Sequence, residues 1–321
     1  MSEQHSAVPQ ARTSRAVRVE SFGGPDVLAV REVPVPQAGP GQIRVRVTAA
    51  GLNPMDWIIV SDPDTASRFG LSLPCGFGTD YAGVVDQVGD GVAGFAVGDR
   101  VFGGVLSRAV ADHVVVDVGG GIAAGGAVHH TPDGVDDRIA ATLAIAGSTA
   151  AAALSVVTPG PGDTVLVGGA GGGVGVFVLQ LLRNLGAHVI GTGSAASADA
   201  LRALGAQPVT YGDGLADRVR ALAPGGVTAA IDLYGTETVE AARELGVPDR
   251  RITTIAAQVE GVSPANGADA APGAVEEIAD SVAAGEIHVP IAASFPIDQI
   301  RSAVELQAGR HVHGKVVIDL T

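Results

Sequence analysis

The chain has 321 residues and a formal net charge of −14, with 34 acidic and 20 basic residues. Nucleic acids and anionic membrane surfaces attract clustered positive charge, and no run of lysine or arginine stands out, so both are disfavoured as partners. The length predicts two domains of ordinary size. Cys75 is the single cysteine, which excludes an intramolecular disulfide, and no Cys/His cluster has the spacing of zinc ligands.

The N-terminal segment, residues 1–15, is polar and contains no apolar stretch. We therefore interpret it as a disordered leader rather than a secretory signal. No apolar run in the sequence reaches the length of a membrane span. These features predict a cytoplasmic protein that does not associate with membranes.

Residues 16–135 have the pattern of an all-β domain. Short β-branched runs, several with alternating apolar and polar residues, are separated by glycine-rich turns. Strands are predicted at 15–20, 28–33, 43–48, 81–85 and 112–116. This punctuation is typical of a barrel or a sandwich. The glycine-rich segment 119–126 is interpreted either as a flexible insertion or as a mobile lid.

The pattern changes near residue 136, where strands begin to alternate with helices. After an alanine-rich helix at 139–154, the predicted strands are 164–168, 188–192, 208–211, 227–233 and 251–257. The helices between them are predicted at 174–185, 196–204, 215–223 and 236–245. This βαβ alternation predicts a parallel, doubly wound sheet. The tail then adds a helix at 273–284, a strand at 288–293, a helix at 298–308 and a strand at 315–320.

A glycine cluster at 168–175 joins the first of these strands to its helix. Its best match to a dinucleotide fingerprint is Ala170-x-Gly172-x-x-Gly175, with alanine in the first position. Small residues let the backbone approach a pyrophosphate, and the helix N-terminus offers it free N–H groups and a positive dipole end. We expect a nucleotide cofactor at this turn; the alternative is a glycine-rich turn that binds nothing.

The end of the second strand bears on the choice of nicotinamide cofactor. Sites for NAD place a carboxylate there, whereas this strand ends in Gly191-Thr-Gly-Ser194. A 2′-phosphate would meet no like charge, and Ser194 and Ser197 stand at the predicted start of the next helix, where hydroxyls and free amides can hold a phosphate. Tyr211, at the end of the third strand, offers a phenolic donor. The sequence therefore predicts NADPH, although Ser194 is equally suited to a plain helix cap.

Eight segments along nearly the whole chain carry a family resemblance: 22–28, 49–56, 78–85, 97–103, 146–150, 168–175, 204–206 and 314–315. In this order they resemble the zinc-independent quinone oxidoreductase (zeta-crystallin-like) branch of the medium-chain dehydrogenase/reductase superfamily. The resemblance implies an α/β protein with a GroES-like β-barrel catalytic domain, residues 16–135 and 270–321, and a Rossmann domain, residues 136–269. It also implies NADPH in the cleft between them, no metal site, and a homodimer.

The resemblance further implies roles for single residues. Asn53, in an Asn-Pro-x-Asp motif, would lie at the nicotinamide and the substrate carbonyl. The implied cofactor contacts are Thr149 at the nicotinamide end, Gly172, Gly173 and Val174 at the pyrophosphate, Ile255 and Ala256 beside the nicotinamide ring, and Lys315 near the cleft. Two positions depart from the family. Ser197 stands where a lysine often pairs with the 2′-phosphate, so that Arg202 would have to compensate, and Gly168 stands where a histidine or tyrosine is usual.

Two interpretations of Asn53 stay open. Its amide can donate a hydrogen bond to a carbonyl oxygen, or it can form an Asx turn before Pro54. Asp56 either orients Asn53 or caps the turn, and Tyr81 is interpreted as a packed residue. We expect an NADPH-dependent reductase that delivers hydride to a small-molecule electron acceptor, a quinone or a similar conjugated carbonyl. The alternatives are an enoyl or alkenal reductase and a non-catalytic NADPH-binding sensor.

Overall fold

The structure is a computed structural model that describes residues 13–310 and 312–321. Residues 1–12 of the predicted leader lie outside this range, and residues 13–15 belong to the first strand. The strands in the described residues are β1 Thr13–Val19, β2 Leu28–Pro34, β3 Gln42–Leu52, β4 Asp80–Val88, β5 Arg100–Gly104, β6 His113–Asp117, β7 Ala127–His130, β8 Thr164–Gly168, β9 His188–Gly193, β10 Gln207–Thr210, β11 Ala229–Asp232, β12 Ile252–Thr254, β13 Ser263–Pro264, β14 Ile291–Pro296 and β15 Lys315–Asp319. The α-helices are α1 Pro54–Ser61, α2 Pro63–Arg68, α3 Asp137–Ala140, α4 Leu143–Val157, α5 Gly173–Asn184, α6 Ala198–Ala203, α7 Leu215–Leu222, α8 Glu237–Glu244, α9 Ala274–Ala283 and α10 Ile300–Ala308.

One sheet is wholly parallel and has the strand order β10-β9-β8-β11-β12-β13. Its central strands β8, β11 and β12 are almost wholly buried, whereas β10 and β13 at the two edges are largely exposed. Strands β9 and β10 extend the sheet on one side of β8, and β11 to β13 extend it on the other. This reversal in the order of the strands opens a crevice at their carboxyl ends between β8 and β11. The predicted doubly wound domain is therefore present, and its crevice lies next to the glycine turn after β8.

The other large sheet belongs to the N-terminal domain and has the order β14-β15-β3-β4-β5-β7, with β6 paired to β3. The β1–β2 hairpin joins it through backbone hydrogen bonds, including Val17 N to Val110 O at 2.9 Å. Strand β15 pairs with β14 on one side and with β3 on the other. The tail of the chain thus returns to the N-terminal domain, as the family resemblance implies.

The return starts later than residue 270. Helix α9 packs on α4, and its Ile278 belongs to the same buried cluster as the helices of the parallel sheet. The chain joins the N-terminal sheet at Ile291, where β14 begins. The predicted strand at 288–293 is accordingly displaced toward the C-terminus.

Two helices interrupt the segment that was predicted to be all-β. Helices α1 and α2 both start with a proline, which has a φ angle already suited to a first helical turn. Asp62 caps α2 by accepting a hydrogen bond from Thr65 N at 2.8 Å. The β-branched run within α1 favours a strand locally, and tertiary packing overrides that preference. The predicted helix at 139–154 is also corrected, because it is divided into α3 and α4.

Several buried contacts explain features of the sequence that had no clear partner. Tyr81 is fully buried and donates a hydrogen bond to Ala127 O at 2.9 Å, so the interpretation as a packed residue is confirmed. The glycine-rich segment 119–126 forms backbone hydrogen bonds, such as Leu106 N to Ile122 O at 3.2 Å.

Among the described residues, no helix combines the length and apolar character that crossing a bilayer requires.

Candidate functional site

The predicted cofactor residues of the parallel sheet lie at one edge of it. Gly172, Gly173 and Val174 follow β8, while Ser194 follows β9. The remaining two positions at this edge are Tyr211 after β10 and the Ile255–Ala256 pair after β12. Because the strands are parallel, their carboxyl ends meet on one side of the sheet, and the fold brings these dispersed residues to one crevice.

The turn after β8 fits a pyrophosphate. Gly172 is the N-cap residue of α5 and no side chain caps this helix, so its first N–H groups remain free for an anion. Small residues are required here, because a Cβ atom on Gly175 would lie 2.3 Å from Ala170 O. Thr192 supports the turn by accepting a hydrogen bond from Gly169 N at 3.1 Å.

The end of β9 carries no carboxylate, as the sequence indicates. Ser194 is half-buried, while Ser197 is buried and donates its hydroxyl hydrogen to Ser194 O at 2.8 Å. Ser197 is thus engaged inside the turn. Arg202 is exposed and pairs with Asp199 at 2.7 Å, and Tyr211 is 55% exposed. Ser194 follows β9 and Tyr211 follows β10 at the carboxyl edge of the sheet, and both residues are at least partly exposed.

An acidic residue that the sequence analysis did not single out ends β11. Asp232 is buried and accepts hydrogen bonds from the backbone N–H groups of Tyr234, Gly235 and Thr238. It shapes the loop between β11 and α8. Tyr234 Cβ lies beside Gly169 of the glycine turn. Arg310 lies over the exposed Tyr234 ring, with its Cζ 5.1 Å from the ring centroid. An aspartate directly after a buried strand is the sequence signal that could have revealed this loop.

Asn53 lies in a buried polar cluster at the junction of the two domains. Its Nδ2 donates to Asp80 Oδ2 at 2.9 Å, and its Oδ1 accepts from Lys315 Nζ at 2.6 Å. Lys315 Nζ is also 3.9 Å from Asp80 Oδ2. A Cβ atom on Gly173 would lie 2.9 Å from Lys315 Cδ, so the lysine runs along the first turn of α5. The predicted residues Asn53, Lys315 and Gly173 therefore come together.

Asp56 supports Asn53 through the backbone. Its Oδ2 accepts from Asn53 N at 2.7 Å at the start of α1, and its Oδ1 accepts from Thr79 Oγ1 at 2.7 Å. The predicted cap role of Asp56 is confirmed. Asn53 itself has φ −126° and ψ 150°, the extended backbone expected before a proline.

The electrostatics of the cluster follow from its burial. Asn53, Asp56, Asp80 and Lys315 each expose 4% or less of their surface. Burial raises the pKa of Asp56 to about 7 and that of Asp80 to about 6, although Lys315 opposes the shift for both carboxyl groups. Burial lowers the pKa of Lys315, while the two carboxylates act in the opposite direction. Proton occupancy of this cluster therefore changes near neutral pH.

The residues implied at the nicotinamide end lie on neighbouring elements. Thr149 is in α4, and its hydroxyl donates to Ile145 O at 2.6 Å. Ile255 N donates to Asp232 O at 3.0 Å, and Ala256 N donates to Thr254 Oγ1 at 3.1 Å. The contacts of Ile255 and Ala256 fix the backbone directly after β12, at the carboxyl edge of the parallel sheet.

His129 and His130 have partners outside this cluster. His129 Nδ1 lies 2.8 Å from Glu276 Oε1, and His130 Nε2 lies 2.9 Å from Gly94 O. His313 lies beside Gly171 of the glycine turn, and His311 is outside the described residues. In the part of the chain that the structure describes, no group of three or more histidine, cysteine, aspartate or glutamate side chains could hold a metal ion.

Comparison with known proteins agrees with this architecture. The family described as "Alcohol dehydrogenase GroES-like domain" matches residues 39–131, and the family described as "Zinc-binding dehydrogenase" matches residues 173–277. Human quinone oxidoreductase is 39% identical over 181 residues, which cover 56% of this chain and 52% of that protein. The chain thus spans about half the length of the curated relatives it matches.

Two solved structures extend the likeness over nearly the whole chain. The quinone oxidoreductase from Coxiella burnetii has 25% identity and a TM-score of 0.85, covering 97% of this chain and 100% of that one. A mycobacterial protein solved in complex with NADPH has 27% identity and a TM-score of 0.80, covering 95% of this chain and 99% of that one. The two-domain fold with its interdomain site therefore defines a medium-chain dehydrogenase/reductase. This chain belongs to that superfamily, as a quinone oxidoreductase-like member.

Proposed function

We propose that the chain is an NADPH-dependent reductase that transfers hydride to a quinone or a similar conjugated carbonyl acceptor, without zinc. The observation that carries this proposal is the Lys315–Asn53 hydrogen bond beside Gly173. It sets the amide that would contact the acceptor next to the turn that would bind the pyrophosphate. The names of the relatives and the NADPH complex of a similar structure support the same conclusion.

The chemistry requires alignment, exclusion of water and stabilisation of a developing oxyanion. A bound nicotinamide supplies the hydride, and the chain supplies the surroundings. Gly172, Gly173 and Val174 would hold the pyrophosphate with free backbone N–H groups. Asn53 would donate an amide N–H to the acceptor oxygen, since that nitrogen carries two hydrogens and Asp80 takes one.

The preference for NADPH rests on the end of β9. No carboxylate stands between Gly191 and Ser194 to accept bonds from a ribose 2′-hydroxyl or to repel a 2′-phosphate. Ser194 and Tyr211 offer hydroxyl donors near the surface, whereas Ser197 contributes through the shape of the turn. A calorimetric titration tests this: NADPH should bind more tightly than NADH, and equal affinity would contradict the preference.

A zinc-free reaction is part of the proposal because the side-chain oxygens of Asn53, Asp56 and Asp80, the atoms that could ligate zinc, each already accept a hydrogen bond. Buried oxygens that are engaged in this way are poorly suited to bind a cation. Dialysis against a chelator should leave turnover unchanged, with zinc far below one equivalent by mass spectrometry. Activity that disappears with chelation and returns with zinc would contradict this part.

The assembly is proposed on the resemblance, and the location and partners are proposed on the charge and the N-terminal sequence. We expect a homodimer in the cytoplasm that meets a small-molecule electron acceptor and neither nucleic acid nor membrane. Light scattering on the full chain tests whether the protein is a homodimer. A mass of one chain, 31.9 kDa, would contradict the dimer.

Reduction of an alkene is the second candidate, because the Asn53 amide can polarise the carbonyl of an enone or enoyl ester as well as that of a quinone. NADPH absorbance followed with a panel of quinones, enones and enoyl thioesters separates the candidates. Oxidation with quinones supports the first proposal, and oxidation with alkenes alone supports the second. Tight cofactor binding with no turnover on any acceptor would favour a non-catalytic sensor.

A further inference from the structure

Asp80 joins three elements at the centre of the polar cluster. It stands at the start of β4 and is fully buried. Its Oδ2 accepts from Asn53 Nδ2 at 2.9 Å, and its Oδ1 accepts from Ile145 N at 3.1 Å in the first turn of α4. The carboxyl group therefore both contacts the Asn53 amide and caps the helix that leads into the parallel sheet.

The two partners of Asn53 determine which way its amide points. A carboxylate only accepts hydrogen bonds, and a lysine ammonium only donates them. Asp80 therefore has to face Nδ2 and Lys315 has to face Oδ1, which is the arrangement in the structure. A rotated amide would place its N–H groups against the ammonium and its oxygen against the carboxylate. The chemistry of the neighbours, rather than packing alone, thus fixes the orientation.

This orientation leaves one donor available. The Asn53 amide nitrogen carries two hydrogens, and Asp80 accepts one of them. Among residues 13–310 and 312–321, no protein group accepts the other. In the rotated amide, the oxygen would take the place of that free N–H.

We propose that Asp80 is a positioning residue that, together with Lys315, holds the Asn53 amide in the one orientation that presents an N–H to the acceptor oxygen. This inference rests on the proposed function and adds a residue to it. Asp80 acts through Asn53 and has no contact with the reacting atoms. The charged groups around the amide are Asp80 from β4, Lys315 from β15 and Asp56 from α1.

The first test observes the amide without any reaction. The sequence contains three asparagines, Asn53, Asn184 and Asn266, so selective ¹⁵N-asparagine labelling gives three side-chain signals. Asn184 and Asn266 are exposed, and Asn53 is buried. We expect one pair of amide protons that exchange slowly with solvent, absent from N53A. In D80N that pair should shift and exchange faster.

The control variant is D112N. Asp112 pairs with Arg15 at 2.9 Å in the same domain. Loss of this ion pair in D112N shows what general destabilisation of the domain does to the Asn53 signal and to kcat. The slow Asn53 signal should be unchanged in D112N. If D80N also leaves the signal unchanged, Asp80 does not orient the amide and the inference is wrong.

The second test is kinetic. D80N and K315M should lower kcat about tenfold to hundredfold, because a misdirected donor loses alignment. The KM for the acceptor and the affinity of D80N for NADPH should change far less than kcat. If Asp80 only capped α4, D80N would lower the melting temperature and leave kcat per folded molecule at the value of D112N, which would overturn the inference.

The outcomes also separate the inference from the proposed function. Wild-type protein that oxidises no NADPH with any acceptor refutes the proposed function, whatever the amide signals show. Wild-type turnover combined with a D80N kcat equal to that of D112N refutes the positioning role alone. Wild-type turnover with a depressed kcat and an altered Asn53 signal in D80N supports both.

Discussion

Lys315 Nζ donates a hydrogen bond of 2.6 Å to Asn53 Oδ1, although the two residues are 262 positions apart in the chain. The aliphatic part of the same lysine lies against Gly173 at the start of α5. One side chain therefore connects the N-terminal domain, the returning tail and the glycine turn. Changes at this junction should affect activity and stability in ways that can be separated.

Replacement of Asn53 tests the proposed donor. N53A removes the amide, and we expect kcat to fall by about 10²–10³, the usual effect of losing one oxyanion donor. Stability should also fall by about 1–3 kcal/mol, since Asp80 and Lys315 each lose a buried partner. Turnover per folded molecule and thermal unfolding measure the two effects. S61A in the same helix is the control, and an N53A kcat equal to it would reject the assignment.

A carboxylate at the end of β9 should reverse the cofactor preference. S194D places a negative charge where the 2′-phosphate is proposed, and aspartate suits the cap position that Ser194 holds. We expect NADPH affinity to fall at least about tenfold while NADH affinity rises or stays constant. Parallel calorimetric titrations of both nucleotides check this. Loss of affinity for NADPH and NADH in equal measure would instead indicate damage to the turn.

The buried Asp56 should make stability depend on pH. Its pKa in the folded chain is raised to about 7, well above the value near 3.9 of an unfolded aspartate. Between those values the folded state holds more protons, so this contribution is complete in acid and is lost as pH rises through 7. From pH 5 to pH 8, D56N should therefore gain about 2 kcal/mol relative to wild type. Urea unfolding at each pH measures the difference.

The variant T79V is a control for the direction of this pH dependence. Thr79 donates to Asp56 and lowers its pKa, so T79V should move the pH-dependent loss of stability upward. A difference between D56N and wild type that stays constant from pH 5 to pH 8 would show that Asp56 is ionised throughout.

Gly168 should tolerate no side chain. A Cβ atom there would lie 2.1 Å from Thr238 Oγ1 and 2.8 Å from Thr238 Cβ. We expect G168A to cost about 1–3 kcal/mol of stability, as overpacking usually does. T238A should recover only part of the loss, because the contact with Cβ remains. A double-mutant cycle from denaturant unfolding gives the coupling, and additive effects would contradict the contact.

The sequence predicted the parallel sheet well because each of its elements has a local signature. Glycines, β-branched runs and amphipathic helices repeat there in short units. It missed α1 because the residues Trp57-Ile-Ile-Val60 favour a strand unless the proline start is given more weight. The contact between Gly168 and Thr238 also explains why glycine replaces the family's larger residue.

The polar cluster could be predicted only in part. Asn53 and Lys315 were identified through the family motifs, each without a partner. Asp80 stands inside one of those motifs, yet its partners Asn53 and Ile145 are distant in sequence. Such contacts depend on how β4, α4 and β15 pack against one another in the folded chain. Local sequence patterns contain no information about that packing.

Strand β15 lies between β14 and β3, and this position determines the order in which the two domains can fold during synthesis. Among the described residues, every strand of the parallel sheet has been made by residue 264 and the helix α9, which packs on α4, by residue 283. That domain can therefore fold while the ribosome is still adding residues. The other sheet lacks an interior strand, and Asn53 lacks its lysine, until residue 319 has emerged from the exit tunnel. Translation must therefore reach the last strand before a competent site can exist, and a nascent chain stalled earlier would display an open, adhesive sheet edge to chaperones.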